Sequence, residues 1–349
     1  LTTSTPPSRL ETVLTRAWLR RGPLACALWP LSILFCAVAA LRAGLYRAGW
    51  LTSERLPVPV VVVGNIFIGG TGKTPLTLWL VQALRAAGKT PGVISRGHGA
   101  KGSAPRAVTP NSSARDAGDE PLLIAQRGAC PVFVGRDRVA CARALLAAHP
   151  EVDILLSDDG LQHYRLRRDV EIVLFDGRGA GNGWLLPAGP LREARGRRRD
   201  VTVINTPVLT PALAALGAGS PVVRMQLAGE YAERLADRGE RRPLAQLASV
   251  KRLAAAAGIG HPERFFTMLR GAGLAFTALP LPDHHDFLDR PFDGVDADII
   301  LITEKDAVKC AQIEDLIDDP RLWVVPVAAR IDGALIDPIL EKCDGRTTA

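Results

Sequence analysis

The sequence predicts an α/β protein in three parts: a domain built on a parallel sheet, a second, smaller α/β domain, and an N-terminal membrane-associated helix. Three observations predict it. Apolar runs of strand length alternate with helical patterns along most of the 349 residues. The run 58–63 leads into Gly69-Gly70-Thr71-Gly72-Lys73-Thr74 and then into a helical pattern, the strand–loop–helix order that cradles a phosphate. An uncharged apolar stretch, 22–41, has the roughly 20 residues that a bilayer span needs.

Residues 1–52 form the first part. Arg16, Arg20 and Arg21 precede the apolar stretch and Arg42 and Arg47 follow it, so positive charge assigns no orientation. Pro30 would kink a spanning helix. A membrane anchor, a buried core helix and a cleaved signal peptide all fit the composition. The flanking arginines favour the anchor, since guanidiniums reach anionic head groups.

Residues 53–210 form the second part, a P-loop NTPase-type domain. Gly69, Gly70, Thr71 and Gly72 let successive N–H groups converge on one anion, Lys73 adds a point charge, and Thr74 offers Mg²⁺ a hydroxyl. Phe67 stands where the usual pattern has its first glycine. Leu76, Leu80, Leu84 and Ala87 have helical spacing and Gly88 stops the helix, whose N-terminus then faces the phosphates. A strand at 92–94, a polar loop over 99–118, a helix over 121–127, a strand at 132–134 and a helix over 138–148 follow. Strand-length runs at 152–156, 171–175 and 201–204 complete the domain. They are apolar on both faces and separated by helices, which argues a parallel sheet covered on both sides.

Pro, Gly, Ala and Thr cluster over 206–220 and mark the passage to the third part, 211–349. There the rhythm repeats, with strands at 222–225, 253–256, 298–302 and 323–327 and a helix over 262–270.

Composition narrows the function. Apolar residues make up 47% of the chain, enough to fill two cores. A net charge of +7 suits an anionic surface or a phosphorylated substrate, whereas 5% aromatics and no nucleic-acid motif argue against base stacking. The six cysteines form no C-x-x-C pair, so neither a zinc site nor a disulfide framework is indicated, and a reducing compartment is expected.

Several constellations carry chemistry. Asp158 and Asp159 end an apolar strand; adjacent carboxylates repel each other unless a cation lies between them, so a metal site and a solvated turn both fit. Asp119 stands at the mouth of a helix, as a cap or as the base that a phosphorylated alcohol requires. The segment Asp283-His284-His285-Asp286 reads as a carboxylate–imidazole relay or a surface turn. Thr303-Glu304-Lys305-Asp306 reads as a ligand contact or a capped helix start. Arg192, Arg195 and Arg197 to Arg199 suit a phosphorylated ligand, head groups or solvent.

Taken in order, VPVVVVGNIFIGGTGKTP, VISRGHGA, GDEPLLIA, VFVGRDR, SDDGLQHYRLRRDVEIVLFD, LLPAGPLRE, GIGHPERFF, LPDHHDF and ITEKDAVKC resemble the tetraacyldisaccharide 4′-kinase family, from about residue 57 to 310. The family's loop also lacks the first glycine, which accounts for Phe67. His98 departs from the tyrosine expected in that stretch, which leaves its role open. The resemblance implies an ATP-dependent kinase that phosphorylates the 4′-hydroxyl of a tetraacyldisaccharide 1-phosphate, giving lipid IV-A in lipid A biosynthesis. It implies that Gly69 to Thr74 hold ATP, with Lys73 on the β/γ-phosphates, and that Mg²⁺ is held by Thr74, Asp158 and Asp159 with Glu193 nearby. It further implies that Asp119 is the base, tuned by His284 from the second domain, and that the enzyme works on the cytoplasmic face of the inner membrane. A partitioning-type ATPase is the rival enzyme, but such proteins carry a lysine where Ile68 stands. A non-catalytic nucleotide-binding module would have less need of Asp119.

Overall fold

A computed structural model describes residues 9–97, 104–332 and 335–345. Two sheets carry the chain. The strands are β1 (Val60–Asn65), β2 (Pro91–Ser95), β3 (Arg106–Val108), β4 (Val132–Val134), β5 (Ile154–Asp158), β6 (Val170–Asp176), β7 (Val201–Asn205) and β8 (Val222–Ala228). They continue as β9 (Tyr231–Arg234), β10 (Arg241–Pro243), β11 (Leu253–Ala257), β12 (Thr277–Pro280), β13 (Ile299–Thr303), β14 (Leu322–Val325) and β15 (Ala328–Ile331). The larger sheet runs β15-β8-β7-β6-β1-β5-β2-β4-β3 and the smaller one β10-β9-β14-β13-β11-β12.

In the larger sheet the strands from β8 to β4 are parallel, and only the edges β15 and β3 are antiparallel. The physical reason is the one read from the sequence: β1, β2 and β5 are buried throughout, so helices must cover both faces. Alternation along β1 divides the core. Val61 and Val63 pack with Leu76, Leu80 and Leu122 on one face, and Val60 and Val62 pack with Val139, Leu145 and Phe175 on the other. β1 and β5 lie side by side with Val63 opposite Asp158, so the glycine loop and the acid pair emerge together at the carboxyl edge, where ligands of such sheets bind.

The α/β class is as expected, but sequence order misleads about the parts. β8 and β15 pair with each other inside the large sheet, so no cut near residue 210 separates the two sheets. The chain leaves β8, builds the small sheet from β9 to β14, and returns as β15. A β8 side chain pattern looks the same whichever sheet it joins, and only long-range pairing decides. The stretch 99–118, expected to be a loop, contains β3 and the short helix Ala114–Ala117. His98 lies outside the described residues.

The N-terminal helix runs from Pro23 to Arg47 and is continuous through Pro30. It is long and apolar enough to cross a membrane. Only Ala25 and Ser32 are buried along it. Ser32 Oγ donates to the Leu185 carbonyl (2.7 Å) and accepts from Ala188 N (2.9 Å), and Trp29 meets Trp184 with ring centres 6.3 Å apart. The helix thus rides on the loop after β6 while Leu31, Leu34, Val38 and Leu41 stay more than half exposed, an apolar surface of the kind that marks an interface.

Candidate active site

The glycine loop is held from beneath by two asparagines. Asn65, at the end of β1, donates to the carbonyls of Phe67 (2.5 Å) and Gly69 (2.9 Å) and accepts from Lys73 Nζ (3.1 Å). Asn205, at the end of β7, donates to the Thr71 carbonyl (2.9 Å). Gly72 needs to be glycine: its φ is +102°, and a Cβ would stand 2.8 Å from Asn205 Nδ2. The helix Lys73–Ala86 starts there, so its unpaired N–H groups open toward the loop. Thr74 is buried at the helix start.

Asp158 and Asp159 lie at the end of β5 beside this loop. Asp158 is buried, with Ser95 Oγ at 3.4 Å and Thr77 Oγ1 at 3.5 Å. Burial pushes its carboxyl up to about 7, and nearby Glu120 and Asp159 add to the shift. Burial also acts on Asp159, but Lys73 and Arg192 outweigh it and hold that carboxyl down at about 2. Arg192 donates to both Asp159 oxygens (2.8 and 3.2 Å) and to Asn65 Oδ1 (2.6 Å). A buried carboxyl this reluctant to ionise, beside an ionised one and a hydroxyl, is an all-oxygen donor set that fits a hard divalent cation.

Glu193 departs from that set. Its oxygens are committed to Arg197, an ion pair, and to the Tyr164 hydroxyl (3.2 Å). Arg197 also pairs with Glu171 (2.8 Å), and Arg199 donates to the carbonyls of Arg195 and Leu216. These arginines brace the loop after β6, a role that local sequence does not announce because their partners lie up to 36 residues away.

Asp119 opens the helix Asp119–Arg127, whose cap is Gly118 without a side-chain bond. Its carboxylate instead meets groups from the small-sheet lobe: His284 Nδ1 at 3.1 Å and Lys309 Nζ at 3.4 Å. Burial raises its pKa, but the His284 hydrogen bond, Lys309 and Lys305 outweigh that and leave it below the usual carboxylate range. His284 sits at φ +57°, a left-handed conformation unusual for a residue with a Cβ. Lys305 Nζ donates to Glu120 Oε1 (3.3 Å). At the other end of the same helix, Arg127 reaches Glu233 (2.5 Å) and Glu304 (2.7 Å). Both ends of one helix are therefore clamped by the second lobe. His285 turns away, accepting from Phe287 N (3.0 Å) and facing Asp289 (3.3 Å).

Two cavities flank the N-terminal helix. One, about 330 Å³, is lined by Arg42, Tyr46, Arg136, Arg138, His163 and Arg165. Arg138 is 1% exposed, donates to the Gly135 carbonyl (2.6 Å), and leaves Nε and Nη2 buried without a partner. Burial, with Arg138 and Arg96, pushes the His163 imidazole down to about 4. The other cavity, about 400 Å³, is largely apolar and runs from Phe35, Val38 and Ala39 past Leu186 to Arg192.

Known proteins share this architecture. A family model described as tetraacyldisaccharide-1-P 4′-kinase matches residues 24–344. A tetraacyldisaccharide 4′-kinase of Janthinobacterium sp. (strain Marseille) is 62% identical over 347 residues, covering 98% of this chain and 99% of the relative. One of Herminiimonas arsenicoxydans is 58% identical over 354 residues, covering 98% of each. Among solved structures, the "apo" form of LpxK from Aquifex aeolicus in complex with ATP superposes with a TM-score of 0.76 at 27% identity, covering 92% of this chain and 99% of that one.

Proposed function

The chain belongs to the tetraacyldisaccharide-1-P 4′-kinase family, and on that premise we infer that it is an ATP-dependent kinase acting on the 4′-hydroxyl of a tetraacyldisaccharide 1-phosphate in lipid A biosynthesis. The observation that carries the site reading is the contact of Asp119 with His284 across the two lobes, 3.1 Å apart, with Gly260 standing close to both Gly70 and Asp283, the residue before His284.

The loop amides from Gly69 to Gly72, with Lys73, hold the β- and γ-phosphates of ATP. Asp119 takes the proton of the sugar hydroxyl as its oxygen bonds to the γ-phosphorus, and the bond to the bridging oxygen breaks, leaving ADP. His284 and Lys309 keep the carboxylate ionised and aimed. Thr74, Asp158 and Asp159 would hold Mg²⁺, which supplies charge neutralisation on the phosphate oxygens. Because the base is completed by the second lobe, transfer requires that lobe to be seated, and hydrolysis by stray water is disfavoured.

The acceptor is a lipid, and the protein offers matching surfaces. The arginine-lined cavity, with the unpaired Arg138 nitrogens, suits its phosphate. The apolar cavity and the exposed face of the helix Pro23–Arg47 suit acyl chains and the inner-membrane surface, with the site on the cytoplasmic face, where ATP is available. Incubation with labelled ATP, Mg²⁺ and the tetraacyldisaccharide 1-phosphate should give a bisphosphorylated lipid. Folded protein that forms no such product defeats the reading. Removing residues 1–50 should release the protein from vesicles, and continued firm binding would place the membrane contact elsewhere.

A further inference from the structure

The second lobe brings a cation as well as an imidazole to the glycine loop. Arg264 lies in the first turn of the helix Pro262–Gly271, which the chain enters from β11 through Gly258, Ile259, Gly260 and His261. Its Nη1 donates to the Gly70 carbonyl at 2.9 Å, and its Nη2 is ion-paired with Asp176. Arg178 reaches the same place from the large sheet: it pairs with Asp176 (2.7 Å), donates to the Gly70 carbonyl (3.4 Å) and lies over the Phe67 ring (4.1 Å). Two guanidiniums thus converge on one buried carboxylate and one neutral carbonyl. The excess is positive, and it stands two residues ahead of Gly72-Lys73, where loop amides line the β- and γ-phosphates.

The two arginines are held differently. Arg178 is tied to its own strand end, two residues from Asp176. Arg264 arrives from the other lobe, and the approach is close: a Cβ on Gly260 would stand 3.8 Å from Gly70 N and 2.9 Å from Asp283 Oδ2. Gly260 therefore lies between the glycine loop and the loop that carries His284. Those two turns of the second lobe are bonded through their backbones. Leu281 N donates to the Ala257 carbonyl (3.0 Å) and His284 N to the Gly258 carbonyl (3.1 Å), while Asp306 accepts from Gly258 N (2.9 Å). Arg264 and His284 thus stand on two turns that are bonded to each other.

We propose that Arg264 is an arginine finger supplied by the chain itself: with ATP in the loop, its guanidinium passes from the Gly70 carbonyl to the oxygen bridging the β- and γ-phosphorus. The proposal rests on the kinase reading above. In the transfer step the sugar oxygen bonds to the γ-phosphorus, its proton goes to Asp119, and the electron pair of the broken bond stays on that bridging oxygen as ADP leaves. A donor aimed at the oxygen where charge appears acts on the transition state more than on bound ATP. Seating the lobe then delivers donor-side and acceptor-side groups together.

The test uses the full chain in detergent, with Arg264→Ala and Arg264→Lys. For Arg264→Ala we expect kcat to fall by about a hundredfold or more, KM for ATP to change less than about threefold, and affinity for ADP–aluminium fluoride to fall roughly in step with kcat. Arg264→Lys should recover no more than about a tenth of the rate, because a point charge replaces the fork, and added guanidinium ion should partly rescue Arg264→Ala. A kcat within about threefold of wild type overturns the proposal. So does an equal loss of affinity for ATP and for the fluoride complex, the signature of a mere inter-lobe ion pair. Wild-type protein that fails to phosphorylate the lipid would defeat the kinase reading instead, so the two failures are distinguishable.

Discussion

On the donor side of the site, Asn65, Asp158 and Asp159 stand at neighbouring strand ends of one sheet, Lys73 opens the helix after the glycine loop, and each is fixed by groups of the same lobe. On the acceptor side, Asp119 is fixed by His284, 165 positions away in the chain, and its helix is clamped at both ends by charges of the other lobe. Apart from Arg264, the donor side is held by groups of the large-sheet lobe alone. The acceptor side exists only while the lobes are seated, and charge pairs hold them there. Coulomb pairs at a partly wet seam are weaker and more salt-sensitive than a buried strand edge. The two sides should therefore fail separately.

The sharpest way to break the comparison is Asp119→Ala. Turnover should fall by about 10²–10⁴-fold while ATP affinity is unchanged, as read by kcat beside nucleotide titration; normal turnover would remove Asp119 from the role. The donor side answers to Asp158→Asn. Its raised carboxyl pKa, about 7, means that the folded metal-free protein bears a cost above pH 7 that shrinks as the pH falls from 7 toward the ordinary carboxylate range. The substitution should therefore raise the unfolding free energy of metal-free protein above pH 7, by on the order of a few kcal/mol, read as a higher melting temperature, and the gain should vanish near pH 4. An equal gain at both pH values would exclude burial of charge as the cause.

The seam itself is tested by Arg127→Ala. Glu233 is fully buried and keeps Arg238 and Arg241, but it loses its link to the helix of Asp119. Destabilisation of roughly 1–3 kcal/mol is expected, with hydrogen exchange rising at the seam and not in β1 or β5. Uniform exchange across both sheets would mean that the lobes do not uncouple. The smallest effect is expected from His284→Ala, about tenfold in kcat. After burial, the His284 hydrogen bond is the largest influence on Asp119 and lowers its pKa. Its loss should shift the acid limb of kcat/KM to higher pH, and an unmoved limb would deny the coupling.

This contrast also sets what could be read from the chain. β1, the glycine loop and β5 were legible because contiguous residues make them: an apolar run, a turn that needs glycine, a carboxylate at a strand end. Asp119 and His284 were suspected from their local segments, but nothing local says that they meet. Arg127 looked like an ordinary helix terminus, and the partners that make it a clamp lie 106 and 177 positions away. Glu193 shows the converse: the family resemblance alone sets it near the metal, and two contacts that no spacing encodes, Arg197 and Tyr164, claim its oxygens. β8 was visible as a strand and still assigned to the wrong sheet, because pairing partners are a long-range choice.

Ala228 pairs with Ala328, so the chain quits the large sheet and rejoins it on the same rung. Topologically the whole second lobe is the turn of a hairpin, swollen into a domain. Such a cassette could be cut out and the gap closed by a short turn, leaving every other strand of the large sheet in register. By the same logic it could be exchanged, so that His284, Lys309 and Arg264 are replaceable as a set while the glycine loop and Asp119 stay as they are.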